Sequence, residues 1–259
     1  MLHVLGGTKR MMIRAFNLML AGLGLVGSLN ATPLSGQFNL NGSAKITLTS
    51  FDWLPVGGPT GVFRTTDPAT GSFLGISDPF GNFTGIEKDL KNPPYPVDVP
   101  ILVTAFLSGF TSPVLAPNGR SFSTLIFDLT KIRASPAAEC TGFEIVNFSC
   151  SVGGPFPPAI TLKNTGSGTE VDFAFEGYFQ FTGDATTSTF GSGLYTAQLT
   201  GVSIQTVLLQ LAQPSGIDAA YSANFAASPS SVPEPTTITM FLAGLMLIGT
   251  KSVRVQSKK

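Results

Sequence analysis

Histidine is almost absent. His3 is the only one in 259 residues, and it lies ahead of the cleavage point argued below, so the mature chain would carry none. Ser-His-Asp triads, Cys-His nucleophiles and His-ligated zinc or iron are thereby excluded from the body. There is no glycine-rich phosphate loop with a following lysine, and no dinucleotide fingerprint after a strand. Charge is scarce as well: 12% of residues are charged, against about 25% in an ordinary globular domain. Fifteen Lys and Arg balance fifteen Asp and Glu, so the chain lacks the basic surface that displaces counterions from nucleic acid. Long helices are disfavoured by 29 glycines and 19 prolines. What the chain does have is phenylalanine. Twenty-one Phe, against one Trp and four Tyr, supply the apolar bulk of a real core.

The zero net charge is unevenly spread. Residues 1–31 hold Lys9, Arg10 and Arg14 and no acid, a net +3. Residues 32–228 hold eight basic and fourteen acidic side chains, a net −6. Residues 229–259 hold Glu234 against Lys251, Arg254, Lys258 and Lys259, again +3. An acidic body thus sits between two basic, apolar ends.

The N-terminal end reads as a secretory signal peptide over residues 1–31. A basic stretch through Arg14 precedes the apolar run AFNLMLAGLGLVGSL, and Ala31 offers a small residue for cleavage, with Ser28 as a competing site. That run is short for a membrane span of about 20 residues. At the other end Val232, Pro233, Glu234 and Pro235 precede the apolar run TTITMFLAGLMLIGT, residues 236–250, and then the basic tail 251–259. Fifteen helical residues at about 1.5 Å each reach roughly 22 Å of a hydrocarbon core about 30 Å thick. Snorkelling of Lys251 and Arg254 closes part of the gap. By the positive-inside rule, Lys251, Arg254, Lys258 and Lys259 would keep the C-terminus cytoplasmic. Pro233 and Pro235 hold an extended segment just outside the bilayer, where a processing enzyme could grip it.

This order, Pro-Glu-Pro, short apolar helix and basic tip, resembles the PEP-CTERM sorting signal of exported bacterial proteins. The likeness covers about 28 residues, with one departure: the tip here is Lys-rich and spread out where the family often shows a compact Arg cluster. The resemblance implies export through the Sec translocon, recognition of the motif by a membrane-embedded exosortase, and association with exopolysaccharide or biofilm matrix. More loosely, residues 38–48, 71–90, 156–181 and 194–225 resemble a recurring body architecture of these proteins that has no assigned activity.

Between the ends, turn signals recur and the runs between them alternate. In VDFAFEGYFQF, residues 171–181, Val171, Phe173, Phe175, Phe179 and Phe181 fall on one face and Asp172, Ala174, Glu176, Tyr178 and Gln180 on the other. Gly177 interrupts the apolar parity, which predicts a bulge or close packing. Further strands are expected at 37–48, 61–65, 71–76, 101–110, 121–129, 142–148, 159–163, 194–199 and 220–226, and one helix at 204–212. The segments beginning Asp67-Pro68 and Asp78-Pro79 echo each other and read as successive hairpin arms. The proline-rich stretch 91–100 reads as an extended crossing. About ten strands in residues 32–228 predict a mainly β fold, an antiparallel, jelly-roll-like β-sandwich.

Cys140 and Cys150 are the only cysteines, and in an exported chain the pair reads as a disulfide. Asp172 and Glu176 share a strand face about 13 Å apart, too far for a glycosidase carboxylate pair. Asp67, Asp78, Asp128 and Asp218 sit near turns and could serve calcium, yet no Asp-x-Asp-x-Asp-Gly loop occurs. Tyr178, Tyr195, Tyr221 and Trp53 are candidates for stacking on sugar rings, with plain core as the other reading of Trp53. No catalytic residue, metal site or cofactor is assigned. The expectation is a non-catalytic structural or adhesive protein of the cell surface or matrix, with a carbohydrate-binding module as the alternative and an envelope glycoside hydrolase or lyase behind it.

Overall fold

The computed structural model describes residues 33–48, 50–54, 60–80, 82–90, 97–141, 145–152 and 159–229. The expected signal peptide with Ala31, the motif Val232 to Pro235, the apolar run 236–250 and the basic tail all lie outside these residues. Among the described residues no helix is long and apolar enough to cross a membrane.

The described residues belong to one unit, Thr32–Ser230. Its strands are β1 (Gly36–Ile46), β2 (Phe51–Trp53), β3 (Thr60–Thr66), β4 (Thr84–Lys88), β5 (Val103–Ser108), β6 (Leu125–Ile132), β7 (Ser149–Ser151), β8 (Thr161–Asn164), β9 (Gly168–Phe181), β10 (Asp184–Thr200) and β11 (Ile217–Ala227). One α-helix, α1 (Ile204–Leu211), connects β10 to β11. Eight antiparallel strands follow one another in the order β10-β11-β1-β3-β4-β5-β6-β9, and β9 pairs back onto β10. The expected sandwich is therefore corrected to a closed barrel with three extra strands. The cause is the length of β9 and β10, 14 and 17 residues. β9 is long enough to bond β6 on one edge while β10 occupies the other, so the ring has no free edge.

Two strands fork. β9 gives its first part to β8 (Thr169 to Asp172) and its second to β6 (Phe175 to Phe181). β1 gives Asn39, Leu40 and Asn41 to β3 and Ala44, Lys45 and Ile46 to β2. Between those partners lie Gly42 and Ser43.

An eight-stranded barrel is just wide enough for its inward side chains to fill it. Here the filling is aromatic: Phe38, Phe63, Phe106, Phe127, Phe175, Phe179 and Phe225 have no exposed surface. On β9 the predicted parity holds, with Val171, Phe173, Phe175, Phe179 and Phe181 buried. Gly177 meets both expectations. The β6–β9 register slips between Leu129 and Lys131, and a Cβ at Gly177 would overlap the Asp128 carbonyl and the Phe127 ring.

Most expected strands have counterparts, but 71–76 does not. It holds a one-turn 3-10 helix, Gly71–Phe73. Gly71 (φ +58°) and Gly75 (φ +91°) adopt left-handed conformations that end extended structure and drop Phe73 into the core. The Asp-Pro echo is thus structural only in its second copy, which leads into β4. In the expected strand 142–148, residues 142–144 lie outside the described set and the remainder is a turn closed by Phe148 N–H on the Ile145 carbonyl, 3.0 Å. α1 forms where predicted. Ser203 caps it by accepting from Thr206 N–H, and Ile204, Val207 and Leu211 are buried. Its Leu211 carbonyl accepts from Leu48 N–H at 3.1 Å, which seats the helix at the end of the barrel where β1 finishes.

Candidate functional site

The least expected residue of the interior is an acid. β3 turns Gly61, Phe63 and Thr65 inward, and its register with β4 sets Gly61 opposite Glu87 and Phe63 opposite Gly85. Glu87 therefore points into the barrel and Ile86 out of it. Glu87 has no exposed surface, whereas Ile86 is 41% exposed. A carboxyl in such a place requires hydrogen-bonding partners. It has two. The Tyr195 hydroxyl of β10 bonds Oε1, and the Tyr221 hydroxyl of β11 bonds Oε2. These partners come from 108 and 134 residues away and reach across the lumen.

Trp53 packs over this cluster. Its ring centroid lies 4.9 Å from that of Tyr195 and 5.1 Å from that of Tyr221. Its indole Nε1–H donates to the Lys88 carbonyl at 2.9 Å, and its backbone N–H to Asp89 Oδ1 at 2.8 Å. Both residues after Glu87 are thus held by one side of the chain.

Burial pushes the Glu87 carboxyl up to about 8; the two phenols partly offset this and the nearby Asp89 charge adds to it. At neutral pH the group is neutral. One contact must then run from the carboxyl O–H to a phenol oxygen, the other from a phenol to the carbonyl oxygen. Burial likewise raises both tyrosines. The cluster can hold one proton in an otherwise apolar space.

Outside it, at the β1 fork, lies an open groove bordered by Asn41, Ser43, Leu54, Val62, Arg64 and Tyr221. Gly42 forms part of its floor, and a Cβ there would overlap the Tyr221 hydroxyl. The missing side chain is what lets the phenol sit beneath the wall.

The residues singled out from sequence fall elsewhere. Cys140 and Cys150 are disulfide-bonded and attach the segment ahead of β7 to β7 itself. Asp172 accepts from the Thr196 hydroxyl at 2.7 Å, and Glu176 is ion-paired with Arg133, so the two acids of that face have separate partners. Burial raises the Asp172 carboxyl. The four turn aspartates are not brought together either: Asp67 accepts from Ser77, Asp78 from Phe80 and Asn82, Asp128 from Ala105 and Gln180, and Asp218 pairs with Lys45. Among the described residues no group of three or more His, Cys, Asp or Glu could hold a metal ion.

The sugar-stacking set is corrected: Trp53, Tyr195 and Tyr221 are buried. They were needed to fill the barrel and to bond Glu87. Only Tyr178 is exposed, and its neighbour Phe190 stands at 81° to it, which makes no flat platform. Sequence reasoning missed Glu87 because Ile86 looks like the inward residue of β4; only the pairing of β4 with β3 reverses that parity.

Comparison with family models, with curated proteins and with solved structures finds no match to this chain.

Proposed function

We propose that this is an exported bacterial surface or matrix protein, sorted by a PEP-CTERM-type signal, whose barrel is a non-catalytic structural or adhesive body. The observation that carries the reading is the order of parts in the sequence: Val232-Pro233-Glu234-Pro235, an apolar run and a basic tail, behind an acidic body. Three features of the body support it. Aromatic rings occupy the barrel interior, where a ligand-carrying barrel would keep space. A disulfide suits an oxidising compartment. The outward acids Asp172 and Glu176 are spent on Thr196 and Arg133 and are not poised as an acid–base pair. In this reading the Sec translocon and an exosortase handle the ends, and an extracellular polysaccharide is the neighbour of the mature body.

The test is fractionation of the full chain in a host that encodes an exosortase. Deleting Pro233, Glu234 and Pro235 should leave the protein in the membrane fraction while the parent chain is released. Equal release of both would overturn the sorting reading.

A further inference from the structure

Glu87 does more than fill space, because its carboxyl ties strands together across the lumen. In the ring order, β4 is separated from β11 by β3 and β1 and from β10 by one strand more. The Glu87 carboxyl bridges that distance through Tyr221 and Tyr195. The bridge ends beneath the β1 fork, where Gly42 leaves the Tyr221 hydroxyl under a wall with no cross-strand pairing to β2 or β3 at residues 42 and 43. Leu54 spans the gap with two backbone bonds, donating to the Ser43 carbonyl at 2.9 Å and accepting from Val62 N–H at 3.0 Å. The same groove that borders Tyr221 opens to solvent.

We propose that Glu87 is a proton-operated latch: protonated, it joins β4 to β10 and β11 and keeps the fork shut, and on losing its proton it admits water through the fork between β2 and β3. The inference is independent of the sorting signal.

The groups around Glu87 favour this. From β10 and β11 it faces two phenols, and the charge of Asp89 opposes its ionisation. On the strands beside it the directly opposed residues are Gly61 and Leu107, neither titratable. Lys88 alternates outward and donates to the Thr104 carbonyl at 2.6 Å, and Asp52 of β2 alternates with the buried Trp53. No cation faces the carboxyl among the described residues, and the two phenols offset only part of the cost of burying its charge, so admitted water supplies the rest.

Amide hydrogen exchange across pH 5.5–9.5 on the parent chain and Glu87→Gln tests this, each corrected for intrinsic exchange. In the parent, opening of β2 and β3 should rise about tenfold per pH unit relative to Glu87→Gln, because opening releases one proton. The rise should level off near pH 8, where the closed state also ionises. Amides of β6 and the second half of β9, which exchange through global unfolding, should follow the same pH slope while staying more protected than those of β2 and β3 by a constant margin. A flat ratio at the fork, or opening of β2 and β3 no easier than that of β6 and β9, overturns the proposal. Should Glu87→Gln not fold, Tyr221→Phe serves: loss of one donor to the carboxylate should move the levelling-off to higher pH, and an unmoved curve overturns the proposal.

Discussion

At Phe38 the start of β1 meets a cluster of phenylalanine rings. Its ring lies 5.0 Å from Phe73, 5.8 Å from Phe110 and Phe225, and 5.9 Å from Phe179. Further along the same strand, at Ala44, the barrel holds Trp53, Tyr195, Tyr221 and Glu87. One half is a closed cluster of phenylalanines with Phe73 dropped in at its end. The other places a carboxyl among rings that each carry a polar atom. The first half resists any loss of volume and is blind to pH. The second is packed with rings as well, Phe173 and Phe175 against Tyr195 among them, yet its stability depends on a proton. Rings alone fill a small barrel; what a polar atom adds is a condition on when the filling is favourable.

The sharpest way to break the contrast is to remove a ring from the all-phenylalanine half. Phe179→Ala, which empties contacts with Phe38, Phe73, Phe127 and Phe225, should cost about 3–5 kcal/mol in denaturant unfolding, equally at pH 6 and pH 9. A pH-dependent loss would mean that the halves are not separate.

Next comes the disulfide, which belongs to neither half. Replacing Cys140 and Cys150 by Ser opens a loop of sequence separation 10 and should cost about 2–3 kcal/mol by the chain-entropy relation. Exchange should accelerate at β7 and leave both halves of the interior alone.

Tyr221→Phe keeps the ring and deletes one hydroxyl from the polar half. About 1 kcal/mol is expected near neutral pH, with a larger cost at pH 9, where the ionised Glu87 needs the donor. An identical cost at both pH values would remove Tyr221 from the cluster's charge balance.

Smallest is the surface. Lys45 and Asp218 lie 3.8 Å apart with Asp218 two-thirds exposed, so Lys45→Ala should change stability by less than about 1 kcal/mol. A greater effect would show that the outer face of β1 shares in the interior's energetics.

How much of this was readable beforehand differs between the halves. The alternation of β9 predicts its buried face because period-two patterning is local. Barrel closure is not local. It rests on β10 pairing with β9 continuously from Thr189 to Thr200, well beyond the run 194–199 expected as strand from the sequence, and no local pattern marks that extension. Residues 71–76 were legible only as a strand, because the left-handed glycines that turn Phe73 into the core, Gly71 and Gly75, decide their course. Glu87 was not legible at all. Within β4 the apolar residue is Ile86, and the inward parity comes from Gly61 and Phe63 on a strand some twenty residues earlier. Trp53 was readable as core, but its link to Glu87 was not, since the indole reaches Lys88 through a backbone carbonyl.

A protonated Glu87 in the folded barrel sets the pH dependence of the polar half. Its carboxyl titrates near 8 when folded, against an ordinary value of 4.5. Between these values the unfolded chain has released the proton and the native chain has kept it, so the contribution of Glu87 to stability is greatest below about 4.5 and is lost as pH rises toward 8. The decisive measurement is the unfolding free energy of the parent chain and of Glu87→Gln from pH 5 to pH 9. The difference between them should fall by up to about 1.4 kcal/mol per pH unit, from the parent's advantage in acid, and flatten above about pH 8. Parallel profiles across that range would contradict a buried, proton-holding Glu87.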